Sequence, residues 1–248
     1  MPAPVISNFA LSFRPLLAAA LLLASCAPHP REAAPSPTPV QPAVIAPQSQ
    51  VLHGWPPAYD AFLRTEVRKY PELLALAPER LSSFCPGFAA IDDEAQFYAD
   101  LLWAIAGPES DWQRTDITLE TELDGVVNPI DPITGQQVRS EGLLQLSYQD
   151  IDSYDAAGVC RFDWAADKAK ATAEYMRGAA YGDGTRTIHD AYRNLECGLF
   201  IVNAHLLQLY PTAKFEDALR RYWIVMDPDH PGYAEVRRNL AKRQPACR

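Results

Sequence analysis

The chain has 248 residues, with 22 Lys and Arg against 31 Asp and Glu and a formal net charge of −9. That acidic balance argues against nucleic acid and anionic lipid surfaces as partners, and neither favours nor excludes a glycan. Residues 53–248 have the length of one domain with a proper core, and no internal repeat or second apolar run of membrane-spanning length interrupts them.

Residues 1–14 carry one positive charge, Arg14, and no acid. The apolar run 16–24 is too short to span a bilayer, and it ends at Leu23-Ala-Ser-Cys26, the layout of a secretory signal. Leu-Ala-Ser-Cys resembles the bacterial lipobox, in which the cysteine is acylated and becomes the mature N-terminus. On that resemblance residues 1–26 are a lipoprotein signal peptide and Cys26 is the lipidation site, with acyl chains enough for a stable membrane anchor. An ordinary signal peptide that contains a cysteine is the plainer alternative. Ala27 after the cysteine, rather than Asp, points to the periplasm and the outer membrane of a Gram-negative cell. Residues 27–52 are rich in Pro and Ala, so they read as an extended, disordered linker that holds the domain away from the membrane.

Residues 53–248 read as a mainly α (α+β) domain with a small β flap. Segments 59–70 and 71–84 have helical apolar spacing, broken at Pro71 and at Pro86-Gly87. Asp92 or Asp93 caps a helix bearing Phe97, Leu101, Leu102 and Ile105, which is expected to end at Gly107-Pro108, just before Glu109. Segment 115–127 alternates polar and apolar residues and predicts the flap, turning at Asp124-Gly125. Asp131-Pro-Ile-Thr-Gly135 is turn chemistry. Further helices are expected from 143 towards 154 and over 194–210, 215–225 and 233–242.

Four cysteines follow Cys26, an even count that in an exported chain reads as two disulfides with three possible connectivities. Cys160–Cys197 and Cys85–Cys247 are the pairings expected, the second tying the terminal segments together; free structural thiols are the alternative. No CxxC or Cys/His spacing suggests zinc, and His53, His189, His205 and His230 show no ligand spacing. No metal and no cofactor are expected.

Two segments carry chemistry. Glu109-Ser110 closes the apolar stretch 101–108, and Ser140-Glu-Gly-Leu-Leu-Gln-Leu146 follows roughly thirty residues later. A glycosidic oxygen is a poor base, so its cleavage needs a carboxylic acid still protonated near neutral pH. A Glu at the end of an apolar helix beside a cleft can be kept neutral by desolvation, with Trp103, Ile105 and Trp112 as candidate surroundings. A solvated helix-end carboxylate is the bland alternative. Downstream stand Asn194-Leu-Glu-Cys-Gly198, with Ile201 and Leu206, and Asp217-Ala-Leu-Arg-Arg-Tyr-Trp223.

Together these pieces, over roughly residues 90–226, resemble the soluble lytic transglycosylase and goose-type lysozyme superfamily. The resemblance implies a lysozyme-like fold, with Glu109 as the catalytic acid and Ser110 beside it. It makes 142–145 the wall of a sugar groove, with Leu144 in place of the usual Met. Gly142 would let the backbone approach the sugar, Leu143 and Leu144 would line it, and Gln145 would hydrogen-bond it. Ser140 either joins this set or caps locally. Tyr222 falls where the family has a tyrosine bonded to the catalytic glutamate, or else is a core aromatic; Trp223 replaces an Asn.

The substrate so implied is peptidoglycan, cut at the MurNAc–GlcNAc β-1,4 bond. Lytic transglycosylases use one Glu as acid and then base and form 1,6-anhydro-muropeptides. Ser147 stands where goose-type lysozymes carry Asp, which favours that single-Glu route. One alternative is a hydrolytic muramidase whose second carboxylate is Glu120, Glu122 or Glu141. Another is a non-catalytic peptidoglycan-binding lipoprotein.

Overall fold

The computed structural model describes residues 54–248 except 124 and 154–157. The signal peptide, Cys26 and the linker 27–52 lie outside the described residues, as do Asp124 and Tyr154. The described chain is mainly helical with a small antiparallel sheet, as the sequence predicts.

Helices α1 (Pro57–Val67), α2 (Pro71–Leu74) and α3 (Pro78–Leu81) come first. The helix expected over 71–84 is two single turns, because the residue before Pro78 is pushed out of helical geometry: Ala77 sits at φ −58°, ψ 127°. α4 (Glu94–Ser110) is the centre of the domain. Asp93 accepts from Gln96 N at 3.2 Å to start it. It is apolar nearly all round, as a helix must be when α1 and α8 (Pro231–Arg243) cover its sides.

α4 does not stop before Glu109 as expected. It runs through Pro108 to Ser110, although Pro108 can give the carbonyl of Ala104 no hydrogen bond. The turn closes immediately afterwards. Asp111 and Trp112 adopt left-handed φ values of 51° and 55°, and their N–H groups reach back to Gly107 O (2.8 Å) and Ala106 O (3.2 Å).

The flap is real and short. β1 (Ile117–Leu119) pairs antiparallel with β4 (Arg139–Glu141), and β2 (Glu122–Leu123) pairs with β3 (Val126–Val127). Ile117 faces Glu141, Thr118 faces Ser140 and Leu119 faces Arg139. Opposed residues share a face of the sheet, so Thr118 and Ser140 look one way while Ile117, Leu119, Arg139 and Glu141 look the other. On the other edge of β1, Ile117 N donates to Ala180 O (2.9 Å) and Gly182 N to Thr115 O (2.8 Å).

α5 (Trp164–Arg177) lies where the sequence reading placed no helix, started by Asp163 and closed at Gly178. The segment after Leu143 is no α-helix but a turn followed by a 3₁₀ turn, Tyr148–Ile151, held by the Ser147/Asp150 capping box. α6 (Ala191–Asn203) continues as a π-helical turn, Ala204–Leu209. α7 (Phe215–Leu219) stops well short of 225. Disulfides join Cys85 to Cys247 and Cys160 to Cys197, the expected pairs.

Candidate active site

Glu109 sits in the last turn of α4, held at the rim of the core by the apolar residues around it. It keeps partial solvent exposure, yet its carboxyl is crowded by protein. Burial, with a smaller push from the negative charge of Glu120, raises it to about 8. Partial solvent reach combined with desolvation keeps a carboxyl accessible and yet biased towards its neutral form. Among the described residues, no hydrogen bond or cation draws that carboxyl back to its ordinary range.

Ser110 turns inward. It is buried, and its hydroxyl lies 3.0 Å from Ala106 O and 2.9 Å from Leu143 O. It therefore ties the end of α4 to the 140–146 segment. Trp103 and Trp112, expected around Glu109, stack on each other at 5.4 Å under the guanidinium of Arg243 from α8. The ring of Trp112 also covers Gly107. Glu109 follows Gly107 by two residues, about 200° further round the helix, so the Trp pair occupies the opposite side. Ile105, one turn before Glu109, is buried on the carboxylate's own side.

The 141–146 segment is built from below. Glu141 is wholly buried and ion-paired to Arg186 at 2.6 Å, with His189 Nε2 at 3.1 Å and Arg139 at 3.6 Å. His189 and Arg186 outweigh its burial and hold its carboxyl down at about 2. Glu141 is thus a structural anion and not the second carboxylate of the cleft. Gly142 has φ +80°, and a Cβ there would come within 2.5 Å of Asn194 Nδ2. Its close approach is to Asn194, not to a sugar. Leu143 and Leu144 are fully buried, so they fill the core rather than line the groove.

Asn194 clamps this turn: Leu144 N donates to its Oδ1 (3.0 Å), and its Nδ2 donates to Glu141 O and Ile188 O (3.2 Å each). One turn later, a Cβ on Gly198 would meet Leu144 Cδ1 at 2.2 Å. The Asn-x-x-x-Gly spacing on α6 is therefore the socket of the turn. Trp223, another residue without an assigned role in the sequence reading, donates from Nε1 to Leu144 O at 2.9 Å.

The face of the sheet that carries Thr118 and Ser140 is polar. Ser140 donates to Glu120 Oε1 at 2.5 Å, and the charge of Glu120 is felt at Glu109. Gln145, at φ 50°, donates from Nε2 to Asp116 Oδ2 (3.1 Å) and Gly142 O (3.0 Å). Burial lifts the Asp116 carboxyl to about 6, opposed by His189. Asp116 and Thr118, on the same face as Glu120 by strand alternation, received no role from sequence; alternation along 115–120 was the signal. Asp111, Trp112 and Gln145 are three of the four left-handed non-glycine residues among those described; the first two close the turn directly after Glu109-Ser110 and the third ends the Gly142–Gln145 turn.

Two expectations lie elsewhere. Glu122 stands exposed on the β2–β3 hairpin. Tyr222 donates to Asp150 Oδ2 at 2.5 Å, not to Glu109, because the chain leaves helical geometry after α7 and turns the ring towards the Ser147–Asp150 cap. A separate pocket of about 540 Å³, lined by Ile117, Leu119, Arg139, Tyr175 and Met176, occupies the other face of the sheet. Among the described residues no three His, Cys, Asp or Glu side chains converge as a metal site.

No protein-family model and no curated sequence matches the chain. Solved structures of DslA (Bd0314) of Bdellovibrio do. The wild type is 22% identical, with a TM-score of 0.51, over 77% of this chain and 92% of that one. The fold is lysozyme-like. A glutamate-to-glutamine variant of DslA is 20% identical over the same shares, and a second such variant is 21% identical over 81% of this chain and 100% of that one, both with TM-scores of 0.51.

Proposed function

We propose that this protein is a glycosidase that cleaves peptidoglycan at the MurNAc–GlcNAc β-1,4 bond by hydrolysis, with Glu109 as the general acid. The observation that carries the reading is a carboxyl raised to about 8 at the end of the central helix, beside the carboxylate of Glu120. At pH 7 that acid is mostly neutral, as protonation of the leaving oxygen requires. Its lysozyme-like fold supports a wall glycan as the substrate.

In the hydrolytic reaction the proton of Glu109 passes to the bridging oxygen as the bond from the sugar's anomeric carbon breaks. A water supplies the hydroxyl that completes that carbon, and Glu120 takes the proton of the water. Ser140, hydrogen-bonded to Glu120, orients it. The pairing of a neutral and a charged carboxyl across a glycosidic bond is the division of labour such hydrolysis needs.

A second reading is the single-Glu transglycosylase expected from sequence. It is favoured by the absence, among the described residues, of a hydrogen-bond partner on Glu109, which leaves it able to give a proton and take one back from the muramyl 6-hydroxyl. Digestion of sacculi in oxygen-18 water, followed by mass spectrometry, separates the readings. Labelled reducing ends support hydrolysis, unlabelled 1,6-anhydro-muropeptides support the transglycosylase, and no release from active-site-intact protein would contradict both. A non-catalytic wall-binding protein is the reading left in that case.

Export belongs to the proposal as well. Two disulfides support an oxidising compartment, and a lipid on Cys26 with the 27–52 linker would place the domain in the periplasm within reach of the wall.

A further inference from the structure

The face of the sheet that carries Glu120, Ser140 and Thr118 continues to Asp116, and then across one more edge to Tyr181. Asp116 and Tyr181 form an antiparallel bridge, so the two side chains lie opposite each other on one face. The backbone around Tyr181 is pinned on both sides by the hydrogen bonds of Ala180 and Gly182 to β1. The ring is 41% exposed, and its hydroxyl is the acceptor for Gln113 Nε2 at 3.4 Å, on the turn that follows Glu109.

A second observation lies beside it. Gln145 is only 7% exposed, and it donates its amide hydrogens to Asp116 and Gly142. That fixes the orientation of the amide and leaves Oε1 buried without a partner. A buried acceptor left unpaired is a standing cost that a ligand hydroxyl reaching it would relieve. A rigid exposed ring next to fixed acceptors complements a pyranose: its C–H face lies on the ring while its hydroxyls donate to the oxygens.

We propose that Tyr181 is the stacking platform of a sugar subsite at the Asp116–Gln145 end of the groove. Asp116 lies four residues along the strand from Glu120, about 13 Å away. A ring stacked on Tyr181 is therefore not one flanking the cleaved bond. The subsite makes the enzyme favour glycan strands long enough to reach it, and in this form it rests on the glycosidase reading above.

The test compares Tyr181→Ala and Tyr181→Phe with the wild type on long and short glycan strands. Tyr181→Ala is expected to raise KM on long strands about tenfold, a contact of about 1.4 kcal/mol, with a smaller change in kcat and little effect on short strands. Tyr181→Phe, which keeps the ring, should restore KM to within about twofold of the wild type. An alanine variant with wild-type KM on long strands overturns the subsite. Co-sedimentation with sacculi reads the same contact without turnover. Weaker retention of Tyr181→Ala than of Tyr181→Phe supports the platform even if no muropeptide is released, an outcome that sinks only the glycosidase. Equal retention of both, or no retention of the wild type, overturns the platform.

Discussion

At the scale of single residues, the proposed chemistry depends on how Glu109 and Glu120 share their surroundings. Glu109→Gln removes the transferable proton and is expected to lower kcat/KM by about 10²–10⁴-fold in muropeptide release assays. The same variant has a stability signature. The folded-state pKa of Glu109 is raised from 4.5 to about 8, so the stability it contributes is fully present below 4.5 and is lost as pH rises through 8. Glu109→Gln should therefore match the wild type in thermal melts at pH 4 and exceed it at pH 9, by on the order of 2 kcal/mol or roughly 5 °C. Activity should fall on the alkaline side as Glu109 loses its proton near 8. Glu120→Gln removes a like charge, so it should move that limb to lower pH, measurable in a pH–rate profile of the residual activity. Burial is the larger cause, so the limb should stay well above the ordinary glutamate range.

At the scale of elements, the site is a helix end joined to a turn, and α6 holds the turn. Asn194→Ala would strip hydrogen bonds from Leu144 N, Glu141 O and Ile188 O, all in the interior. It is expected to cost about 2–4 kcal/mol in chemical denaturation and to reduce activity although Asn194 touches no sugar. Much of this was legible in the chain: the motif 194–198, the capped apolar helix, the flap, and the pairing of the four cysteines. What the sequence misassigned was direction. Gly142, Leu143 and Leu144 belong to the groove wall by motif, but their side chains or missing Cβ face α6 and the core. Glu141 has the composition of a second acid, and only the fold brings Arg186 and His189 to it from distant segments. The missed helix α5 has an ordinary Asp cap, but much of its surface is exposed, so its apolar stripe is thin. Pro108 signalled a helix end and delivered it two residues late, which is what sets Glu109 inside the last turn.

At the scale of the molecule, two covalent ties hold the described domain together. Cys85–Cys247 spans 162 residues and brings the chain's end beside Gly87, whose N–H donates to Ala246 O at 3.0 Å. Cys160–Cys197 spans 37 residues and joins the segment before α5 to α6, below the 141–146 turn. On chain entropy, the long tie is worth about 5 kcal/mol and the short one about 4 kcal/mol. Replacing Cys85 and Cys247 by Ser should therefore lower the unfolding free energy more than replacing Cys160 and Cys197. The second pair should nevertheless cost more activity per kcal/mol lost, because it sits under the site. Calorimetry and muropeptide release on the two double variants check both orderings.

The most direct measurement is the titration of the Glu109 side-chain carboxyl by carbon-13 NMR, assigned by its loss in Glu109→Gln. A midpoint near 8 that falls in Glu120→Gln is the expected result. A midpoint near 4.5, indifferent to Glu120, would contradict the role of Glu109 as the acid of the groove.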